Sequence, residues 1–178
     1  MLEGPPRLAY NLFMPILDPN SFEFLSRSAE QTRRVGMRLG SILETTDVIC
    51  LEGELGTGKT TFVQGIAAGW GSLDAVSSPT FVLVNVYRRP DGQRLAHMDA
   101  YRLSGPSEAD ALDLDTLLDG GPLVVEWSER IAEALPGEHL WVQMRHVAEE
   151  QRGMQFSAKG QHYLDLLQDL HEHMFGVA

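Results

Sequence analysis

Val48-Ile49-Cys50-Leu51-Glu52-Gly53-Glu54-Leu55-Gly56-Thr57-Gly58-Lys59-Thr60 runs from an apolar segment through a glycine-rich turn, and this stretch decides the fold. Asp47 to Glu52 reads as a buried strand, and Thr60 to Ala68 as a helix ended by Gly69 and Gly71. Gly53 to Thr60 fits G-x-x-x-x-G-K-[ST] at every position, which chance produces in roughly one chain of this length in a few hundred. Glycines let the backbone curl so that successive N–H groups converge on phosphate oxygens, and the positive end of the following helix adds to the same spot. Lys59 is expected to reach the β- and γ-phosphates and Thr60 to offer a hydroxyl to magnesium. The chain has only two lysines, Lys59 and Lys159, among fourteen basic residues. A surface that prefers arginine so strongly keeps a compact ammonium where such a loop wants one.

Phosphoryl transfer also needs acids, to order the metal's water shell and to align an attacking water. Asp99 closes the apolar run Leu95-Ala96-His97-Met98, and Glu126 closes Leu123-Val124-Val125. Both fall where the carboxyl ends of sheet strands meet a nucleotide crevice. Lys59, Asp99 and Glu126 are the expected catalytic residues, with Thr60 and Glu126 on the metal side. Spacing alone leaves open which acid serves the metal and which the water.

Working outward, residues 1–20 read as an irregular extension, broken by Pro5, Pro6, Pro15 and Pro19, and residues 21–178 as one domain. Ser28 and Gln31 have capping-box spacing, ahead of Val35, Leu39, Ile42 and Leu43 at helical intervals. Thr80 to Arg88 and Gln93 to Arg102 form an expected hairpin across Arg89-Pro90-Asp91-Gly92. Ser107 to Leu118 reads as one acidic helix, Pro122 to Trp127 as a buried strand and Ser128 to Leu135 as a short helix. Leu140 to Val147 and Gly153 to Lys159 are two more strands, and Tyr163 to Met174 a closing helix. The expected fold class is α/β: a P-loop NTPase-like three-layer domain whose mixed sheet includes antiparallel hairpins.

The apolar content of 43% and charged content of 22% are those of a globular protein. No run approaches the ~18 apolar residues of a membrane span, and Met1 to Tyr10 lacks the pattern of a signal peptide, so the expected location is cytoplasmic. A net charge of −11 disfavours autonomous nucleic-acid binding. The single cysteine, Cys50, excludes an intramolecular disulfide and reads as a small core hydrophobe.

Together, Gly53 to Thr61, Ser78-Pro79-Thr80-Phe81, His97-Met98-Asp99-Ala100-Tyr101-Arg102-Leu103 and Val125-Glu126-Trp127 resemble the TsaE-type ATPase family of bacterial tRNA threonylcarbamoyladenosine biosynthesis. The resemblance covers roughly residues 26–160, including the helix start from Ser28 to Thr32. It implies an ATPase using ATP/ADP and Mg2+ beside a two-protein, TsaB/TsaD-type assembly that places threonylcarbamoyl on adenosine 37 of tRNA. On that reading tRNA is met only indirectly, and hydrolysis drives turnover or reset of the assembly. Nucleotide contacts are implied for Thr32, Glu54, Leu55, Gly56, Thr57, Gly58, Lys59, Thr60, Thr61 and Trp127, and a γ-phosphate or metal sensor at Thr80. Ala100 and Ser128 depart from the leucine and proline usual at those positions.

Other readings are weaker. A guanine-nucleotide switch lacks its Asn-Lys-x-Asp element here. A small-molecule kinase would use the same loop but add a basic lid, whereas Ser107 to Asp119 is acidic. A module that senses ATP without hydrolysing it is the third alternative. Tyr101 reads as core, and Arg102 as a candidate to stabilise phosphate charge. His162, His171 and His173 carry no metal-site spacing, and Asp113, Asp115 and Asp119 read as a solvated acidic face.

Overall fold

A computed structural model describes residues 19–79 and 83–176. In chain order they form β1 (Ser21–Ser26), α1 (Ala29–Ile42), β2 (Val48–Glu52), α2 (Lys59–Trp70), β3 (Val84–Arg88) and β4 (Arg94–Asp99). Then come α3 (Pro106–Asp110), α4 (Leu114–Asp119), β5 (Leu123–Glu126), two 3-10 turns, β6 (His139–His146), β7 (Arg152–Lys159) and α5 (Gln161–Phe175). Residues 1–18 of the extension expected over 1–20, and the sensor position Thr80, lie outside the described residues.

One seven-stranded sheet has the order β1-β7-β6-β2-β5-β4-β3. β2 sits at its middle, parallel to both β5 and β6, and β4 runs parallel to β5. The β3–β4, β6–β7 and β1–β7 pairs are antiparallel. β2 is buried on both faces, hence its unbroken apolar run. Ile49 and Leu51 join Val35, Phe62, Ile66 and Leu170 in the core under α1, α2 and α5. Val48 and Cys50 join Met98, Leu123, Val125 and Ile131 in the core on the other face, with Leu103, Ala109 and Leu135. The result is the three-layer, mixed-sheet α/β architecture that the sequence implies.

Local chemistry explains most boundaries. Ser28 Oγ accepts from Gln31 N–H at 3.1 Å, while Gln31 Oε1 accepts from Arg27 N–H at 2.7 Å, so the capping pair starts α1. α2 does not stop at Gly69; it runs to Trp70 and ends at Gly71 in the left-handed region. Gly69 is helical because it faces α1: a Cβ there would lie 1.9 Å from the Met37 carbonyl oxygen. Gly36, Gly40 and Gly65 are in the same position, so the two helices meet backbone to backbone. The single acidic helix expected over 107–118 is two short ones. Asp113, in the left-handed region, breaks it and caps α4 by accepting from Thr116 N–H at 3.3 Å. Ser128 to Leu135 likewise forms two 3-10 turns rather than a helix.

β1 has no counterpart among the elements expected from the sequence. Its partner β7 lies far along the chain, and Phe22 stacks on Phe156 with ring centroids 4.8 Å apart. Among the described residues no helix is long and apolar enough to cross a membrane.

Candidate functional site

The turn from β2 into α2 is shaped by its glycines. Gly56 and Gly58 have φ of 79° and 95°, and a Cβ on Gly53 would stand 2.4 Å from the Met144 carbonyl oxygen. Thr57 is buried and its hydroxyl donates to the Glu54 carbonyl at 2.9 Å, bracing the loop from within. Two hollows flank the loop, and Gly56, Gly58 and Thr61 line both. One, about 380 Å³, is lined also by Lys59, Thr60, Ser78, Asp99, Glu126 and Trp127. The other, about 280 Å³, is lined also by Ala29, Thr32, Glu149, Glu150 and Arg152. Arg152 donates to the Gly56 carbonyl at 3.4 Å and to three carbonyls of the β6–β7 turn, fastening that hairpin to the loop.

Sheet register assembles the acidic side. Asp99 and Glu126 are direct partners at the ends of parallel β4 and β5. Thr60 Oγ1 donates to Glu126 Oε1 at 3.1 Å and lies 3.4 Å from Oε2. Asp99 Oδ1 accepts from Tyr101 N–H at 2.8 Å. Burial pushes the Asp99 carboxyl above the ordinary range, and the neighbouring Glu126 adds to the rise against the pull of the backbone hydrogen bond, His97 and Lys59. Lys59 Nζ donates to the Gly53 and Glu54 carbonyls at 2.5 and 2.9 Å. Its ammonium also sits 4.1 Å from the centroid of the Trp127 ring. Desolvation lowers the Lys59 pKa, opposed by Glu126, Glu129 and Asp99.

Trp127 reaches this position through strain. It takes φ 58°, rare for a bulky residue, and turns β5 sharply into the 3-10 turn at Ser128. Ser128 is buried and its hydroxyl donates to the Leu51 carbonyl at 3.1 Å, pinning the turn to the P-loop strand.

Most expected residues therefore converge: Leu55, Gly56, Gly58, Lys59, Thr60, Thr61, Asp99, Glu126 and Trp127 line one hollow, and Thr32 the other. Glu54 and Thr57 instead line a separate cleft with Glu52, Glu129 and Met144. The Thr32 hydroxyl is already engaged, 2.7 Å from Ser26 Oγ. Arg102 is exposed and absent from the hollow's lining. Tyr101 is not core: it is 48% exposed, 4.9 Å from the Trp127 ring and under the Arg130 guanidinium. A residue two after a strand end has left the sheet, which its apolar neighbours disguise in the sequence. Sequence reasoning missed His97, whose signal was an ionisable residue inside an apolar strand.

A converging loop, an ammonium and a helix N-terminus suit an anion; a hydroxyl and carboxylates beside them suit a hard cation. Among the described residues no three or more His, Cys, Asp or Glu form a ready metal cage. Magnesium keeps several waters and needs one or two carboxylates plus phosphate oxygens, so the Thr60, Glu126 and Asp99 oxygens fit it.

Sheet order, glycine loop and flanking hollows define an α/β protein of the P-loop NTPase type. The chain belongs to the TsaE family: residues 26–154 match the family described as threonylcarbamoyl adenosine biosynthesis protein TsaE. It is 38% identical to the tRNA threonylcarbamoyladenosine biosynthesis protein TsaE of Bacillus subtilis (strain 168), over 81% of this chain and 90% of that one. The Streptomyces coelicolor protein of the same name is 46% identical over 61% of this chain and 74% of its own. That of Treponema pallidum is 40% identical over 72% and 94%. A crystal structure of Bacillus subtilis YdiB matches with a TM-score of 0.72 at 31% identity, covering 87% of this chain and 97% of that one.

Proposed function

We propose that this chain binds ATP with magnesium at the P-loop and hydrolyses it as the energy-using component of tRNA threonylcarbamoyladenosine biosynthesis. The observation that carries this reading is the Thr60–Glu126 hydrogen bond beside the Lys59 ammonium. It gathers a phosphate ligand, a metal-facing hydroxyl and an acid within one hollow.

Loop N–H groups and the start of α2 hold the phosphate chain, and the Lys59 ammonium neutralises its β- and γ-oxygens. Thr60 and Glu126 hold the metal, which when bound offsets charge developing on the transferred phosphoryl group. Asp99, the remaining acid, orients the attacking water. Thr32 and the β6–β7 turn border the second hollow, where the nucleoside lies. Work is coupled through a TsaB/TsaD-type two-protein assembly, with tRNA met through those partners in the cytoplasm. An acidic chain docks readily on basic surfaces, and a partner arginine beside the γ-phosphate adds rate.

The test is calorimetric ATP affinity and phosphate release, for the chain alone and with the two partners. Lys59→Ala removes a charge-assisted contact worth about 1.5–3 kcal/mol, so affinity should fall roughly ten- to a hundredfold. Unchanged affinity would refute the site, and fast turnover that ignores the partners would refute the assembly-bound role.

A further inference from the structure

His97 is fully buried, at 0% exposure, in the middle of β4, and both its ring nitrogens have partners. Nε2 lies 2.8 Å from Glu126 Oε1, and Nδ1 lies 3.0 Å from the Tyr87 hydroxyl. The Tyr87 hydroxyl also lies 3.0 Å from the Ser77 carbonyl. A continuous chain thus runs from Ser77 through Tyr87, His97 and Glu126 to Thr60 Oγ1. It enters the site from the side opposite the P-loop. None of the reactions in this site needs His97 to touch nucleotide, and it is absent from the lining of both hollows.

The geometry points to His97, backed by Tyr87, as a positioning residue that fixes the orientation of the Glu126 carboxylate toward Thr60. This inference rests on the reading that Glu126 serves an ATP site. An ionised carboxylate only accepts, so Nε2 carries the hydrogen and donates to it. Glu126 itself is 3% exposed, so little water competes for its oxygens. Without His97, the Thr60 hydroxyl is the one side-chain partner left to it among the described residues. A buried carboxylate with one loose donor is free to rotate away from the metal or to be left poorly satisfied. Tyr87 supports His97 in turn, its hydroxyl lying between Nδ1 and the Ser77 carbonyl. It lies across the β3–β4 pair, opposite Leu95, and holds the imidazole edge that faces away from the site.

Groups that orient a metal-side ligand typically change activity ten- to a hundredfold when removed. The test uses the full chain with its partners and compares His97→Phe, His97→Gln and Tyr87→Phe. Readouts are steady-state ATP turnover, ATP affinity by calorimetry, and thermal unfolding. His97→Phe should lower turnover by at least ~tenfold while ATP affinity, set mainly by the P-loop, stays within about threefold. The amide of His97→Gln can donate to the same oxygen and should recover most of the loss. Tyr87→Phe removes one hydroxyl and should lower turnover by a smaller factor, again with affinity kept.

Full turnover in His97→Phe overturns the inference. So does a loss that follows affinity or unfolding and that His97→Gln does not recover, because that is merely a core defect. If His97→Phe does not fold, Tyr87→Phe decides, and wild-type turnover there overturns it. Failure of the unmodified chain to bind or hydrolyse ATP is a different result and overturns the proposed function instead.

Discussion

Replacing Gly65 by Ala should destabilise the protein even though alanine is the better helix former. A Cβ built on Gly65 would lie 2.1 Å from the Arg33 carbonyl oxygen and 3.0 Å from the Gly36 Cα. Both neighbours are backbone, so no side chain can swing aside, and α1 and α2 must part by about 1 Å to restore ordinary contact. Overpacking of this kind costs about 1–3 kcal/mol, and backbone opposition puts it at the upper end. Helix propensity returns about 1 kcal/mol. The net loss is therefore about 2 kcal/mol, a drop of roughly 1 M in the urea midpoint at a slope near 2 kcal/mol/M. Gly137→Ala is the control, since nothing lies within 4 Å of its Cβ, and it should shift stability by less than about 0.5 kcal/mol. The interface matters beyond stability because α1 carries Thr32, which lines one hollow, and α2 carries Lys59 and Thr60, which line the other. A Gly65→Ala protein as stable as its parent would mean that the helices separate freely and that their glycines are incidental.

Asp99→Asn and Glu126→Gln should both suppress ATP turnover, but only Glu126→Gln should weaken the dependence of nucleotide affinity on magnesium, because Glu126 is the acid that touches Thr60. Calorimetric titrations with and without magnesium read this directly, and an equal effect from Asp99→Asn would move Asp99 to the metal side. Burial raises the Cys50 thiol to about 12, so a disulfide reagent at pH 8 should leave it unmodified until denaturant is added. Between the unfolded value near 8.5 and that native value the folded state holds the extra proton, so stability falls as pH rises, by up to ~1.4 kcal/mol per unit. Denaturation of wild type and Cys50→Ala from pH 8 to 10 should show the steeper slope in wild type.

What the sequence disclosed were features whose meaning is local. Gly53 to Thr60 carries its backbone geometry in its glycines, and the Ser28–Gln31 pair carries its cap. Asp99 and Glu126 stand out because a carboxylate that closes an apolar run adds nothing to the packing of its strand. What the sequence concealed depends on partners distant in the chain. Ser21–Ser26 is a strand because β7 offers it an edge and Phe156 a ring to stack on. Gly69 looks like a helix stop and instead lies inside α2, because Met37 of α1 occupies the space its side chain would need. The Ser107 to Leu118 segment has helical composition throughout, yet the left-handed turn at Asp113 divides it.

His97 shows why a site's supporting residues are harder to read than the groups that meet the ligand. On β4, residues 95, 97 and 99 share one face, and on β5 residues 124 and 126 share the corresponding one. Parallel register sets His97 beside Val124 and Asp99 beside Glu126. The long Glu126 side chain can then reach back to the imidazole while keeping its contact with Thr60. A slip of β4 by one residue would send the His97 side chain into the opposite core, toward Cys50, Leu123 and Val125, with no acid to meet. The residue's chemistry is thus decided by the pairing of two strands, β4 and β5, joined only through α3 and α4. Nothing in Leu95-Ala96-His97-Met98 specifies that pairing, whereas the acid at each strand's end is visible without it.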